Sequence, residues 1–127
     1  MTNEELIIGI MDVTKYVGEL LDLPVAYPGK KFTPPDSGRW LEMSLASNDL
    51  QPDINGAYVA RRGIFQINAC GRPDKNPADL YAVSDTVAAV FIKGVDGQPT
   101  ITQNPTVGSL IVLDDRVILP ITITYSE

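Results

Sequence analysis

The sequence predicts an α+β fold: a mainly antiparallel or mixed sheet with two amphipathic helices packed against it. Three observations predict it. Two segments carry apolar residues at helical intervals, one at the N-terminus and one past mid-chain. At least three segments alternate apolar and polar residues with a period of two. Their order is helix, strands, helix, strands, with hairpin-like connections, which favours packed layers over a doubly wound parallel sheet. The chain has 127 residues, which suits a single domain over 1–127.

The first helix is expected from Asn3 to Leu21. Thr2 and Glu5 have capping-box spacing. Leu6, Ile10, Val13, Val17 and Leu20 define its apolar stripe, widened by Ile7, Met11 and Leu21. Gly9 and Gly18 lower its helix propensity unless a neighbour approaches closely there. Pro24 ends the region. Val25–Tyr27 reads as a short extended piece closed by Pro28-Gly29, and Lys30–Gly38 as a loop stiffened by Pro34-Pro35.

Trp40–Ala46 alternates as a strand, with Leu41, Met43 and Leu45 on one face and Trp40, Glu42 and Ser44 on the other. Ser47–Gly56 is polar and reads as a loop. Ala57–Cys70 is a long strand, with Gly63 marking a bulge or a close approach. Gly71–Asn76 is a charged loop.

Asn76 and Pro77 open the second helix, as cap and first-turn proline. Its stripe is Leu80, Val83, Val87, Val90 and Phe91, and Gly94 lies at its C-terminal cap. Asp96-Gly97 marks a turn and Thr100–Gln103 a strand. Ser109–Leu113 and Arg116–Tyr125 read as a hairpin joined at Asp114-Asp115. Pro120 demotes its part of the last strand to an edge or bulge.

Composition narrows the function. Apolar residues make up 44% and charged residues 20%, so the chain as a whole is not of disordered type. The net charge is −6, which argues against a general nucleic-acid binder, since such a protein presents a basic face. A surface that DNA passes without sticking remains compatible, because like charges repel. There is no histidine, the commonest general base and metal ligand. Cys70 is the only cysteine, which excludes an intrachain disulfide and a multi-cysteine zinc site. The N-terminal segment lacks a basic leader, and no apolar run approaches the roughly 20 residues of a membrane helix. The reading is of a soluble intracellular product with no cofactor and no membrane contact.

The carboxylates Asp49, Asp53, Asp74, Asp79, Asp85, Asp96, Asp114 and Asp115 match no metal-loop template. Gly94 and Gly97 have neither the spacing nor the context of a phosphate loop. Ser44, Ser84 and Thr86 have no base beside them. What stands out is a surface. Phe32, Pro34 and Pro35 form a stiff loop that leads into the single Trp40, and Arg61, Arg62, Gly63 and Phe65 lie in the next strand. Trp and Arg dominate interface hot spots, and an ordered loop docks at low entropic cost. Two readings stand side by side for each. Trp40 is a packing residue or an interface anchor. The arginines, on opposite faces of a strand, are solvated and acid-paired or form an inter-subunit ion pair.

Several of these features together resemble the tail terminator proteins of long-tailed bacteriophages. They are the Phe32-x-Pro34-Pro35 loop before Trp40, the Arg-Gly-x-Phe-x-Ile strand of Arg62–Ile67, the proline-bearing loop into the second helix, and the closing Leu-Pro-Ile-x-Ile-x-Tyr run that ends at Tyr125. The resemblance implies a compact α+β subunit without enzymatic activity. It implies a homo-oligomeric ring, usually six-fold, that caps the tail tube, ends its polymerisation and joins the tail to the head connector or stopper protein. The implied location is the virion neck, and the host cytoplasm during assembly. DNA would pass through the lumen without specific binding. Phe32, Pro34, Pro35, Trp40, Arg61, Arg62, Gly63 and Phe65 carry over as interface or structural positions. The alternatives are a head-completion or stopper neck protein and, in another class, a small acidic enzyme or ligand-binding module.

Overall fold

A computed structural model describes residues 3–35, 38–52, 59–73, 76–91, 100–101 and 104–126. The elements are α1 (Asn3–Leu21), β1 (Val25–Ala26), β2 (Trp40–Pro52), β3 (Val59–Gly71), α2 (Ala78–Val90), β4 (Thr100–Ile101), β5 (Thr106–Val107), β6 (Ile111–Val112) and β7 (Val117–Ser126). The sheet runs β1-β2-β3-β7-β4, with β5 and β6 also pairing with β7. Only β1 on β2 is parallel; the other pairings are antiparallel. This is the mixed α+β sheet that the alternation predicts.

Register builds the core directly. Leu41, Ala69 and Leu119 form one cross-strand row; Met43, Ile67 and Ile121 form the next. Phe65 and Ile123 continue the same face, and Tyr125 follows opposite Gly63. These residues are buried together with Ile10 and Val17 of α1 and with Leu80, Val83, Val87 and Phe91 at α2. Phe65 stands edge-on to Phe91 at 5.5 Å and tilted to Tyr125 at 5.9 Å between ring centroids. Helix α2 lies over β3 and β7, whereas α1 lies against α2 and β1.

Helix α1 buries a slightly different stripe from the expected one. Ile10, Thr14, Val17 and Gly18 are covered, and Leu20 is 54% exposed. Thr14 is admitted because its hydroxyl donates to the Ile10 carbonyl at 2.8 Å, which satisfies the one polar group it brings. The helix ends in a Schellman pair: Leu23 N–H donates to Gly18 O (2.9 Å) and Asp22 N–H to Glu19 O (3.2 Å). Asp22 takes the left-handed position, φ 55°. At α2, Asn76 Oδ1 accepts from Ala78 N–H at 3.0 Å, so the expected asparagine cap forms just ahead of Pro77.

Three sequence expectations are corrected. The polar stretch from Ser47 is strand, not loop, as far as Pro52, because it pairs with Val59–Gly63. The bulge lies in β2 rather than at Gly63: the register shifts between Leu45 and Asn48, so Ala46 and Ser47 together face Ile64. Pro120 is interior rather than edge, since β7 pairs with β3 on one side and with β5 and β6 on the other. The proline is tolerated because its carbonyl, accepting from Gly108 N–H at 2.8 Å, points to the break between β5 and β6. A strand residue's N–H and C=O point the same way, so the missing donor falls in that break. Residues 53–56 of the expected loop, Gly94, the Asp96-Gly97 turn and residues 102–103 of the expected strand at Thr100–Gln103 lie outside the described residues.

Candidate assembly surfaces

The middle of the sheet face away from the helices is largely polar, with Ile64 toward one end and an apolar corner at the other. Ser44, Gln66 and Thr122 form a neutral row, with Gln66 Nε2 donating to Thr122 Oγ1 at 3.4 Å. Glu42, Asn68 and Pro120 form the next. At the corner, Trp40, Cys70 and Ile118 make a third row. There a second, small core closes over the indole.

Trp40 has no exposed surface. Its indole N–H donates to Glu42 Oε1 at 3.1 Å. The guanidinium carbons of Arg72 and Arg116 stand 5.0 and 5.7 Å from its ring centroid, within cation–π range. Arg116 Nη1 reaches the same Glu42 oxygen at 2.7 Å, and its Nη2 is 3.5 Å from Asp115. Arg72 is held instead by main-chain carbonyls. Its Nε and Nη2 donate to Pro35 O at 3.1 and 2.7 Å, and its Nη1 to Asp115 O at 3.0 Å. One guanidinium therefore fastens the proline loop to the β6–β7 turn. Cys70 beneath the cluster has its thiol pushed up to about 12, first by burial and then by the Glu42 carboxylate, with Arg116 opposing. A thiol so placed stays protonated and unreactive at neutral pH.

The nominated residues divide between surface and interior. Pro34, Pro35 and Phe32 are half-buried in the loop, and Pro35 is joined to the Trp40 cluster through Arg72. Trp40 and Phe65 are buried by their own chain, on opposite faces of the sheet. Gly63 sits opposite Asn48 at the end of the β2 bulge. Arg61 and Arg62 lie opposite Leu50 and Asp49 on the ladder. Glu42, Arg72 and Arg116 were not nominated from sequence. Alternation alone puts Glu42 on the Trp40 face, but the two arginines become visible only once Cys70 and Ile118 are known to flank Trp40.

Two further features are presented outward. Strands β2 and β3 are 13 residues each, roughly 43 Å at strand rise. Strand β7 reaches β3 only as far as Arg62, and β1 covers β2 only at Leu41 and Glu42. Beyond these points the hairpin is a two-stranded arm among the described residues. On the other side, β6 and its turn expose Ile111, Val112 and Leu113. Beside them a groove of about 530 Å³ is lined by Leu80, Leu110, Val112 and Val117 and rimmed by Arg39 and Arg72. No group of three metal-ligating side chains occurs among the described residues, and no described helix is long and apolar enough to cross a membrane.

A family model described as phage tail terminator protein matches residues 10–125. The chain belongs to the phage tail terminator family. The match spans the buried residues of both helices and nearly all of the described sheet, so it covers the residues that build the core. Among solved structures, one chain aligns with a TM-score of 0.75 at 22% identity, over 99% of this chain and 96% of the other. A second, from the virion of a native gene transfer agent particle, aligns with a TM-score of 0.62 at 11% identity, over 95% and 92%. At those identities the likeness is one of fold. Comparison with the curated proteins finds no match. The terminator family is one of virion structural proteins of the phage tail, and this chain is a tail structural protein.

Proposed function

We propose that copies of this chain close into a ring, usually six-fold in such proteins, that caps the finished tail tube, ends its polymerisation and offers its other face to the head connector or stopper protein. The observation that carries the reading is the terminator family match over residues 10–125. Two features of the subunit support it. An open sheet with an extended arm at β2–β3 and an apolar turn at β6 has different surfaces at its two edges, as head-to-tail assembly requires. The face opposite the helices is neutral where Ser44, Gln66 and Thr122 align, and its Arg116 is offset by Glu42 and Asp115. Such a face, in a chain of net charge −6, lets DNA pass with few sticking points. The loop residues Phe32, Pro34 and Pro35, tied to the Trp40 cluster through Arg72, belong to the contact surfaces, as do Arg61 and Arg62 where β3 leaves the cover of β7, with Gly63 and Phe65 further along the same strand.

Loss of the gene tests this. Without the chain, tails should be overlong or unattached. Tails of normal length beside heads that leak DNA would assign it to the stopper layer instead. In vitro, the purified chain added to polymerising tube protein should arrest growth at substoichiometric amounts.

A further inference from the structure

The ring reading leaves open which surfaces meet, and the structure carries that further. We propose that the groove beside β6 of one copy receives the outer face of α1 of the next copy. This rests on the ring reading and adds the contact.

The two surfaces match in shape. On α1, Ile8, Asp12, Tyr16 and Leu20 follow one another at intervals of four, a single ridge on the solvent side. Ile8 is 50% exposed, and Tyr16 and Leu20 are each 54% exposed. The ridge runs roughly 18 Å along the helix. Across from it in type is a groove whose lining is apolar at Leu80, Leu110, Val112 and Val117, with Val112 68% exposed. Large apolar side chains left this open on two separate faces mark contact surfaces.

They also match in charge. Asp12 lies on the α1 ridge and Glu19 beside it, with Lys15 at its margin. The groove rim carries Arg39 and Arg72 against one acid, Asp79. Arg72 is oriented by the carbonyls of Pro35 and Asp115, and Arg39 by the carbonyl of Asp79 at 3.3 Å. Carbonyls fix a guanidinium without cancelling its charge, so the rim stays positive within an acidic chain. An acidic, apolar helix face is the occupant such a rim favours.

Position decides between a ring and a closed pair. Helix α1 runs directly into β1 at one edge of the sheet, while β6 lies beyond β7 on the other side. Four strand spacings separate them, roughly 19 Å. Unlike surfaces at opposite edges give a heterologous contact that propagates from copy to copy.

The test uses the full chain as wild type, Leu20→Asp, Val112→Asp and a 1:1 mixture of the two variants. Light scattering reads the assembly state, and a lysine–carboxylate crosslinker traps weak pairs. Both positions are exposed, so circular dichroism melts of the monomers should be unchanged. The expected result is a wild-type oligomer, two monomeric variants, and crosslinked 1:1 heterodimers in the mixture with nothing larger, because each variant retains one intact half. Arg39→Glu should lower association at least tenfold, and adding Asp12→Arg in the same chain should restore it. If both single variants assemble as wild type does, this contact is wrong and the ring reading survives. A mixture without heterodimers also overturns the contact. A wild type that stays monomeric alone and with tube protein overturns the ring reading and this contact with it.

Discussion

Gly18→Ala should destabilise the fold even though it places a better helix former inside α1. In an exposed helix interior the exchange gains about 1 kcal/mol. Here the added Cβ would lie 2.5 Å from Val25 Cγ2 and 3.2 Å from the Leu23 carbonyl. Carbon atoms in good contact sit about 3.5–4.0 Å apart, so β1 must move by about 1 Å. The Leu23 carbonyl belongs to the segment whose N–H bonds Gly18 O, so the same shift strains the helix terminus. Overpacking of this kind costs about 1–3 kcal/mol. The net expectation for Gly18→Ala is therefore a loss of about 1 kcal/mol. Val25→Ala removes the methyl that clashes and carries its own truncation loss. In that background Gly18→Ala should turn neutral or stabilising, as the propensity gain is no longer opposed at Val25. Urea unfolding of the four proteins of the cycle reads this, with an expected coupling of about 1–2 kcal/mol. Additive effects within about 0.5 kcal/mol, or a stabilising Gly18→Ala in the Val25 background, would refute the close-approach argument.

Asp22→Gly should stabilise the chain by about 0.5–1 kcal/mol in the same assay. It relieves a left-handed residue at φ 55° and removes a negative charge from a helix C-terminus. Arg72→Ala should loosen the proline loop, giving faster proteolytic cleavage within Lys30–Arg39 and a stability loss of about 1–2 kcal/mol, since a charged donor to Pro35 and Asp115 is lost at a half-exposed site. Arg72→Lys should not restore protection, because an ammonium cannot reproduce the paired Nε and Nη2 bonds. Cys70, with its thiol raised to about 12 in the fold, should resist alkylation at pH 8 until denaturant is added. The folded chain keeps that proton while the unfolded chain releases it near its ordinary value of about 8.5–9. Stability should thus be unaffected by this group below that range and fall by about 1.4 kcal/mol per pH unit from there to about 12. Comparing the alkaline limb of Cys70→Ala with wild type isolates the slope from tyrosine and lysine titration.

Periodicity made the two helices and the central strands legible, because their burial is one-sided. Leu41 and Met43 share one face, as alternation groups them, and that face is the core face, joined there by Phe65, Ile67, Ile121 and Ile123. Leu20 was misplaced for a geometric reason: a stripe drawn through Val13 and Val17 drifts toward solvent by the last turn, where the chain bends to β1 and Leu21 takes the inner side. Thr14 was passed over because a hydroxyl gives no apolar signal, and its bond to Ile10 O is invisible without the helix. The far half of β2 is polar in sequence and gives no apolar alternation, and its ladder with β3 is what makes it a strand. Pro120 argued rightly for a missing donor and wrongly for an edge, since a broken ladder between β5 and β6 serves as well. At the candidate surfaces, the loop and Trp40 could be nominated as a unit, whereas Arg72 and Arg116 could not. Their role depends on a register linking positions more than 30 residues apart in sequence.

If the proposed ring forms, the Trp40 cluster prepares one of its surfaces in advance. A proline loop left free would lose its motion on docking and weaken the contact by the entropy of ordering it. Here the ordering is done within the monomer. Two prolines restrict the backbone, Arg72 ties the Pro35 carbonyl to the β6–β7 turn, and the buried indole gives both guanidiniums a flat face to rest on. The same Arg72 that fastens the loop also stands on the rim of the β6 groove. The loop and the groove are thereby mechanically joined: anything that shifts the turn at Asp115 is felt at Pro35 through one side chain. In the proposed ring each copy would engage unlike neighbours on different faces, and a rigid link of this kind would keep those faces in fixed relation before any neighbour arrives. The burial of Trp40 fits that proposal, since a side chain that braces the loop and the turn through Arg72 and Arg116 is placed beneath both.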